Sequence, residues 1–527
     1  MALLLAILLG TCAVLAISQS PILESHNGPN KESARASAPQ IFNALHSSMR
    51  QWGSSLNHNG MSFFPATIPA NTDFYHGSPT IEPVVGIEWL AFEIEHAEGF
   101  ARGGRGGPGR GPGERPPISP PSPNEEYIQS KTQRRENGEA TAALHHYRTS
   151  RDMRVLYLDG MSAGKTAMGT LDQQEYVLCN VSAVDMVSKG AEEIEAGPNG
   201  PAVDVAFAMQ MCRDFGHVIE GIVRMEAGFE LILCNFTKSI DFVSATPRPA
   251  PDAPGYSSDV LQPFEFIRGI GHRYHGITAG RVQADYSNMV SAFFYSVNLT
   301  NPDPAHSSLP RLSSTDPTAL KGIKSDVLSA LSKPSKTSVI DWQGVVDLIV
   351  TRYSDRLQFM ALSRTSHSSF QKELNFLLNM FIDYSATDIT TSVSRCTTHY
   401  LDGLPVSTNT DHLLYTAVTN VTSNICNTLF SLRSALLGSN STSTVEAAKD
   451  AINDLTAYLS WTTWLECKKC AYDEVCFVAV WPFGGVKEHE KPSCVSKDEV
   501  VSKRGYWEGG RVGGRVPPDE YGRHRGA

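Results

Sequence analysis

The 527-residue sequence has no excess of positive charge, and this absence bears first on nucleic-acid binding. It contains 45 Lys and Arg residues against 55 Asp and Glu residues, so the formal net charge is −10 at pH 7. Proteins that bind nucleic acid through phosphate contacts usually present a basic face. The charge balance therefore argues against nucleic acid as the main partner.

The sequence also has few long hydrophobic runs. Residues 3–16 are apolar or small, but this run is shorter than the roughly 20 residues needed to cross a bilayer, and no run of spanning length follows. Small residues at Ala16 and Ser18 favour a cleaved signal peptide at residues 1–18, with an uncleaved anchor as the alternative. We therefore expect a secreted, extracellular protein with no transmembrane segment after cleavage.

Glycosylation motifs agree with this compartment. Five Asn-x-Ser/Thr sequons predict a glycoprotein. They begin at Asn180, Asn235, Asn298, Asn420 and Asn440.

Nine cysteines follow residue 18, and an oxidising compartment favours their conversion to disulfides. An odd number leaves at least one thiol over or paired between chains. We expect Cys179 to pair with Cys234 across a sheet and Cys212 to remain a free thiol. The cluster formed by Cys467, Cys470, Cys476 and Cys494 fits either disulfides or a zinc site, and secretion favours disulfides.

Hydrophobic periodicity predicts an α+β fold with several regions. A mixed strand and helix domain covers residues 37–300 and is interrupted by a Gly/Pro/Arg-rich, disordered insert at about 103–138. A mostly helical region follows at 302–465, and a small disulfide-stapled extension at 466–495. Polar composition predicts disorder at residues 19–36 and 503–527.

Individual elements are also predicted from these patterns. Apolar residues at helical spacing predict a helix from Ser37 through about Trp52, and another from Glu93 to Arg102. A strand is expected at Glu175 to Asn180, and a buried strand at Phe229 to Phe236.

The stretch from Asn71 to Arg102 carries the strongest indication of chemistry. Its segment Asp73-Phe74-Tyr75-His76-Gly77-Ser78 resembles the opening motif of the ADP-ribosyltransferase superfamily, in its His-Tyr-Glu branch. In that family a strand and helix follow, similar to residues 86–102, and a later Gln-x-Glu motif begins a further strand. Gln173-Gln174-Glu175 is similar to that later motif.

The resemblance implies roles for six residues. His76 would position NAD, and Glu175 would be the catalytic carboxylate that steadies the positive charge of the sugar as nicotinamide leaves. Tyr75 and Gly77 would contribute to cofactor binding. Trp89 or Phe92 would supply the aromatic floor, although the family pattern has a Tyr there. NAD would be a substrate rather than a bound cofactor.

The chain is also similar to uncharacterised secreted proteins of filamentous fungi, through runs such as GIEWLAFEIEHAEGFAR and LYLDGMSAGKTAMGTLD. We therefore predict a secreted glycoprotein that binds an unknown extracellular or cell-wall partner. The alternative is an NAD-dependent ADP-ribosyltransferase or NAD glycohydrolase. No metal site is predicted, because the pairs His145-His146 and His272-x-x-His275 lack a third ligand at usual spacing.

Overall fold

The structure is a computed structural model that describes a large part of the chain. The described residues are 28–57, 60–101, 142–162, 173–179, 201–248, 263–273, 280–304, 307–333, 339–385, 388–438, 441–467, 469–481, 483–503 and 506. The predicted signal peptide and the predicted insert at 103–138 lie outside these residues, as does most of the predicted tail at 503–527.

The N-terminal half is built on a ten-stranded mixed sheet. Its strands, in chain order, are β1 (Ser62–Ile68), β2 (Asp73–Ser78), β3 (Glu88–Ala91), β4 (Ala143–Thr149), β5 (Met153–Leu158), β6 (Gly221–Met225), β7 (Phe229–Leu233), β8 (Ile240–Pro247), β9 (Gln283–Ala284) and β10 (Val290–Ser291). The spatial order is β10-β1-β5-β6-β7-β3-β2-β4-β8, with β9 also paired to β1.

Most neighbouring strands are antiparallel, and β5 and β6 form a parallel pair. Parallel neighbours require a crossover connection, and the chain between them contains two helices, α5 (Gln173–Cys179) and α6 (Pro201–Phe215). The sheet is continued by two strands of two residues each, β9 and β10.

The remaining helices lie around this sheet and in the C-terminal half. They are α1 (Lys31–Ala36), α2 (Ala38–Ser47), α3 (Gln51–Leu56), α4 (Ile94–Glu98), α7 (Pro263–Arg273), α8 (Pro317–Ser332), α9 (Trp342–Ala361), α10 (His367–Leu378), α11 (Ile389–Thr398), α12 (Asn409–Gly438), α13 (Thr442–Leu459), α14 (Val486–Glu490) and α15 (Lys497–Ser502). A two-stranded sheet of β11 (Glu474–Phe477) and β12 (Ser493–Ser496) lies in the C-terminal extension.

Helix α12 is the central element of the helical half. It buries an apolar face that includes Leu414, Val418 and Ile425, and it packs against α1, α2, α10, α11 and α13. Its contacts with α1 and α2 join the helical half to the N-terminal half, so the buried apolar core runs through both. The α+β prediction, with a mixed N-terminal part and a helical C-terminal half, is confirmed.

The N-terminal helices correct two predictions. Residues 31–36, expected to be disordered, form α1, because the Asn30 side chain accepts a hydrogen bond from the Ser33 backbone N–H at 2.8 Å and caps the helix. The single helix expected from Ser37 to Trp52 is two helices, α2 and α3. Met49, between them, has φ +53° and breaks the helical geometry.

Two further elements differ from the prediction. Helix α4 ends at Glu98 and is shorter than the helix expected from Glu93 to Arg102. The segment that contains Glu175 is helix α5 and not a strand. The burial of this segment is compatible with a helix or a strand, because residues on both sides of Glu175 are buried. The sequence shows no alternation of apolar and polar residues that would distinguish a strand from a helix.

Four disulfides are present among the described residues, and they correct the predicted pairing. Cys212 of α6 bonds Cys234, so the expected Cys179–Cys234 bond and the free Cys212 thiol are both wrong. Cys179 belongs to none of the four disulfides. The other pairs are Cys396–Cys426, Cys467–Cys476 and Cys470–Cys494, which confirms that the C-terminal cluster forms disulfides rather than a zinc site.

A helix that crosses a bilayer needs about 20 predominantly apolar residues. Within the described part of the chain, no helix combines the length and the apolar character needed to cross a membrane.

Asp159 is a buried carboxyl at the end of β5. The Ser62 backbone N–H donates to its Oδ1 at 3.0 Å, and the Asp159 N–H donates to the Ser62 carbonyl at 3.2 Å, so the two residues close the end of the β1–β5 ladder. Burial raises the pKa of Asp159 to about 7, despite these hydrogen bonds. The folded protein therefore holds a proton that the unfolded chain releases at a pKa of about 4.

We expect Asp159→Asn to flatten the pH dependence of stability. In the wild type, the free energy of unfolding should fall by up to about 4 kcal/mol as pH rises from about 4 to about 7, because over this window unfolding releases a proton that the folded protein still holds. Urea unfolding at several pH values measures the slope. The exposed Asp241→Asn is the matched control, and an unchanged slope in Asp159→Asn would contradict the assignment.

Candidate functional cleft

The stretch from Asn71 to residue 101 forms β2, β3 and α4 at the middle of the sheet. Strand β2 pairs with β4 on one side and with β3 on the other, where Tyr75 lies opposite Ala91. Strand β3 pairs in turn with β7, which places Ala91 opposite Glu230. The predicted strand-turn-strand-helix unit is therefore present, but β3 is joined to a strand about 140 residues further along the chain.

Two predicted site residues are engaged in packing. His76 is buried at 3% exposure, and its Nδ1 lies 2.8 Å from the Trp89 carbonyl oxygen. At Gly77, an added Cβ would come within 2.3 Å of the Ala97 carbonyl oxygen and 2.5 Å of the Ala101 nitrogen. Gly77 is thus required for the close approach of α4 to β2, which is a structural reason for the glycine in the Tyr-His-Gly segment.

We expect Gly77→Ala to destabilise the fold by about 2–4 kcal/mol, because the atoms in the way are backbone atoms of the α4 segment that cannot rotate aside. Thermal unfolding of the full chain measures the loss. Gly322→Ala in α8 is the control, since no atom lies within 4 Å of its added Cβ, and it should be neutral or slightly stabilising. Equal melting temperatures for both variants would contradict this role for Gly77.

The two aromatic candidates occupy different surroundings. Trp89 packs edge-on against Phe100, with ring centroids 4.8 Å apart, and beside His96 at 5.5 Å. Phe92 is almost fully buried, with its ring 4.7 Å from that of Phe74.

Glu175 lies elsewhere in the fold. It is fully buried in α5, which packs against α6 and α8, and its neighbour Gln174 donates a side-chain hydrogen bond to the Ser162 carbonyl just after β5. Four strand spacings separate β5 from β2, which is a lateral distance of about 19 Å. The structure does not place Glu175 beside Tyr75 and Phe92, and the catalytic roles of His76 and Glu175 stay predictions.

An open cleft lies at the ends of β2 and β3. It has a volume of about 530 Å³. The residues that line it are Pro69, Ala70, Asn71, Thr72, Asp73, Tyr75, Phe92, Glu93, Ile94, Gly280 and Arg281. Of the six predicted site residues, Tyr75 and Phe92 are the two that line this cleft.

Each charged group in the cleft has an opposite charge beside it. Asp73 Oδ1 accepts from Arg148 Nε at 2.7 Å and lies 2.9 Å from His146 Nε2. Arg281 Nη2 donates to Glu93 Oε1 at 2.8 Å. The hydrogen bond from Arg148 keeps the pKa of the Asp73 carboxyl below its usual value, so this carboxylate is ionised at neutral pH.

Tyr75 is the aromatic side chain that is partly exposed in the cleft. Its ring stacks on the ring of His146, with centroids 5.3 Å apart and planes inclined by 19°. Burial raises the pKa of the Tyr75 hydroxyl, so it remains protonated and can both donate and accept a hydrogen bond. Asn71 at the rim has φ +64°, a left-handed conformation that asparagine tolerates better than most residues.

The sequence did not reveal that Arg281 lines the cleft, or that Arg148 and His146 contact residues that line it. Arg281 follows Glu93 by almost 190 residues, and Arg148 and His146 contact Asp73 and Tyr75 through the β2–β4 pairing. The alternation of side chains along β4 gave a weak indication of Arg148 and His146. They lie opposite Asp73 and Tyr75 and therefore share their face of the sheet. No local motif indicated Arg281.

Residues 31–253, from α1 to just beyond β8, match a family described as the YPL277C N-terminal domain. The uncharacterised protein YPL277C of Saccharomyces cerevisiae is 31% identical over 231 residues, which are 40% of this chain and 43% of that protein. The aligned part thus spans less than half of that relative.

A second yeast relative extends the similarity into the helical half. The uncharacterised protein YOR389W of Saccharomyces cerevisiae is 24% identical over 535 aligned residues, which cover 84% of this chain and 81% of that protein. No solved structure matches the chain. These similarities support the predicted resemblance to an uncharacterised family, and neither relative's name refers to ADP-ribosyl transfer.

Proposed function

We propose that the protein is secreted and binds a neutral, hydroxyl-rich carbohydrate in the cleft beside Tyr75. The observation that carries this proposal is the pairing of charge in the cleft: Arg281 with Glu93, and Arg148 with Asp73. Carboxylates held in place by arginines are hydrogen-bond acceptors for hydroxyl groups, and the guanidinium groups supply donors. A neutral carbohydrate does not require a binding site with a net charge, so paired charges suit it.

Tyr75 supplies the apolar part of such a site. A partly exposed aromatic ring offers a flat surface for the C–H face of a sugar ring, and its hydroxyl offers a polar contact at the edge. The stacked His146 ring supports Tyr75 from one side and holds its orientation. The combination of one aromatic wall and a few convergent polar groups is typical of small-ligand sites.

The same charges make the NAD-dependent alternative a poorer match to the cleft. A dinucleotide pyrophosphate is best bound by arginines that can direct both donors at phosphate. Here Arg281 and Arg148 instead donate hydrogen bonds to the carboxylates of Glu93 and Asp73. The cleft therefore supports a neutral ligand better than NAD.

Secretion is supported by independent features. Four disulfides join described cysteines, and such bonds persist in oxidising compartments. Two sequons occur in turns: the side chains of Asn235 and Asn298 each accept a hydrogen bond from the backbone N–H two residues on, at 2.8 Å and 3.0 Å. The sequon at Asn420 instead lies within helix α12.

We expect Tyr75→Ala to weaken carbohydrate binding by about tenfold, because it removes the stacking surface while leaving the charged pairs in place. Isothermal titration with soluble β-glucan, chitin and mannan oligosaccharides identifies which of these sugars binds and measures its Kd. Tyr384→Ala is the control, since this tyrosine is 69% exposed on the helical half.

Failure of all three oligosaccharides to bind the wild type would contradict the proposal, and so would equal affinity in Tyr75→Ala. NAD consumption by the wild type provides a separate outcome. If NAD is consumed and Glu175→Gln abolishes the reaction, the enzyme alternative replaces the binding function.

We expect N-glycans on Asn235 and Asn298 of protein secreted from a eukaryotic host, and none on Asn420, whose side-chain oxygen accepts from the Tyr458 hydroxyl at 2.9 Å. Enzymatic removal of the glycans in heavy-oxygen water, followed by peptide mass spectrometry, marks each modified asparagine. Retention of the full chain inside the host without any glycan would contradict secretion.

A further inference from the structure

A group of three potential metal ligands lies under helix α4 and apart from the cleft. It consists of His96 of α4, Glu226 in the turn between β6 and β7, and Glu230 of β7. One ligand atom from each residue lies within 4.8 Å of the other two, and His96 Nε2 is 3.9 Å from Glu226 Oε2. We propose that these three side chains bind one divalent transition-metal ion, with zinc as the best match.

The distances suit an ion of this kind. Ligand atoms around a tetrahedral zinc at roughly 2.1 Å are separated by about 3.4 Å. The ligand atoms lie within 4.8 Å of one another, so their separations exceed this value by at most about 1.4 Å, which rotations of the two glutamate side chains can close. One imidazole with two carboxylates is a set that zinc accepts, whereas magnesium prefers oxygen ligands alone.

The backbone brings the three residues together closely. In the β6–β7 turn, the Glu226 N–H donates to the Gly228 carbonyl at 3.0 Å. A side chain at Gly228 would come within 3.0 Å of His96 Nδ1, so the glycine allows α4 to approach the turn. The Gln51 side chain also donates to the Ala227 carbonyl at 2.9 Å and fixes the turn from the other side.

Arg224 holds one of the two glutamates in place. Its Nε donates to Glu230 Oε1 at 2.6 Å, and both side chains are buried. This contact orients the Glu230 carboxylate beside His96 and Glu226. Second-shell partners of this type commonly fix carboxylate ligands of metals.

The surroundings restrict access by water. His96 is 1% exposed and has the rings of Trp89 and Phe266 beside it, with centroids at 5.5 Å and 6.0 Å. Glu226 is the most exposed of the three ligands, at 18% of its side chain, and marks the path by which an ion would enter. No local sequence pattern indicates this cluster, because about 130 residues separate His96 from the two glutamates.

Zinc binding by the purified full chain tests this inference without depending on any carbohydrate. After removal of metal with a chelator, the wild type is expected to bind one zinc per chain by titration calorimetry, and its melting temperature should rise by about 3 °C in saturating zinc. Manganese should bind more weakly than zinc, and magnesium should not bind.

Glu226→Gln should weaken zinc binding at least tenfold and remove the rise in melting temperature, because an amide is a poorer zinc ligand than a carboxylate. His96→Asn should weaken zinc binding to the same extent. Because His96 is buried, its replacement could prevent folding, and in that case Glu226→Gln alone decides the test. Glu265→Gln, at an exposed position of the neighbouring α7, is the matched control. The absence of stoichiometric zinc in the wild type, or unchanged binding in Glu226→Gln, would overturn the inference.

Discussion

The four-residue strand β3 is the constraint on which the rest of the N-terminal half depends. It pairs with β2 on one edge and with β7 on the other, so it joins two groups of strands into one sheet. Because opposite residues share a face, this pairing places Ala91 between Tyr75 and Glu230 on the side covered by α4. The cleft and the His96 cluster both lie beside this row of residues.

Local sequence patterns were sufficient to predict much of the fold. The β2–β3–α4 unit, the buried strand at Phe229 and the helical C-terminal half follow from periodicity and turn residues within short windows. Glu175 shows the limit of such patterns, because most residues of its segment are buried and the sequence has no alternation that would distinguish a helix from a strand. The partner of Cys234 was also not predictable, because disulfide connectivity depends on how distant segments pack.

The residues of the candidate cleft divide in the same way, into those that a local pattern indicates and those that it does not. Tyr75 and Phe92 belong to a local motif and were predicted as site residues, and both line the cleft. Arg281 reaches the cleft only through tertiary packing, and its contact with Glu93 gives the cleft its balanced charge. The small size of Gly77 allows the contact with the α4 segment, and its predicted role in cofactor binding stays a prediction.

The central claim is that the cleft between Asp73 and Arg281 holds a neutral sugar against Tyr75. The most direct measurement is a crystal structure of the full chain with the tightest-binding oligosaccharide. The account predicts a sugar ring in contact with the Tyr75 side chain, with hydroxyl groups hydrogen-bonded to Asp73 or Glu93 and both carboxylate–arginine pairs intact. A sugar bound elsewhere, with this cleft filled only by solvent, would contradict it.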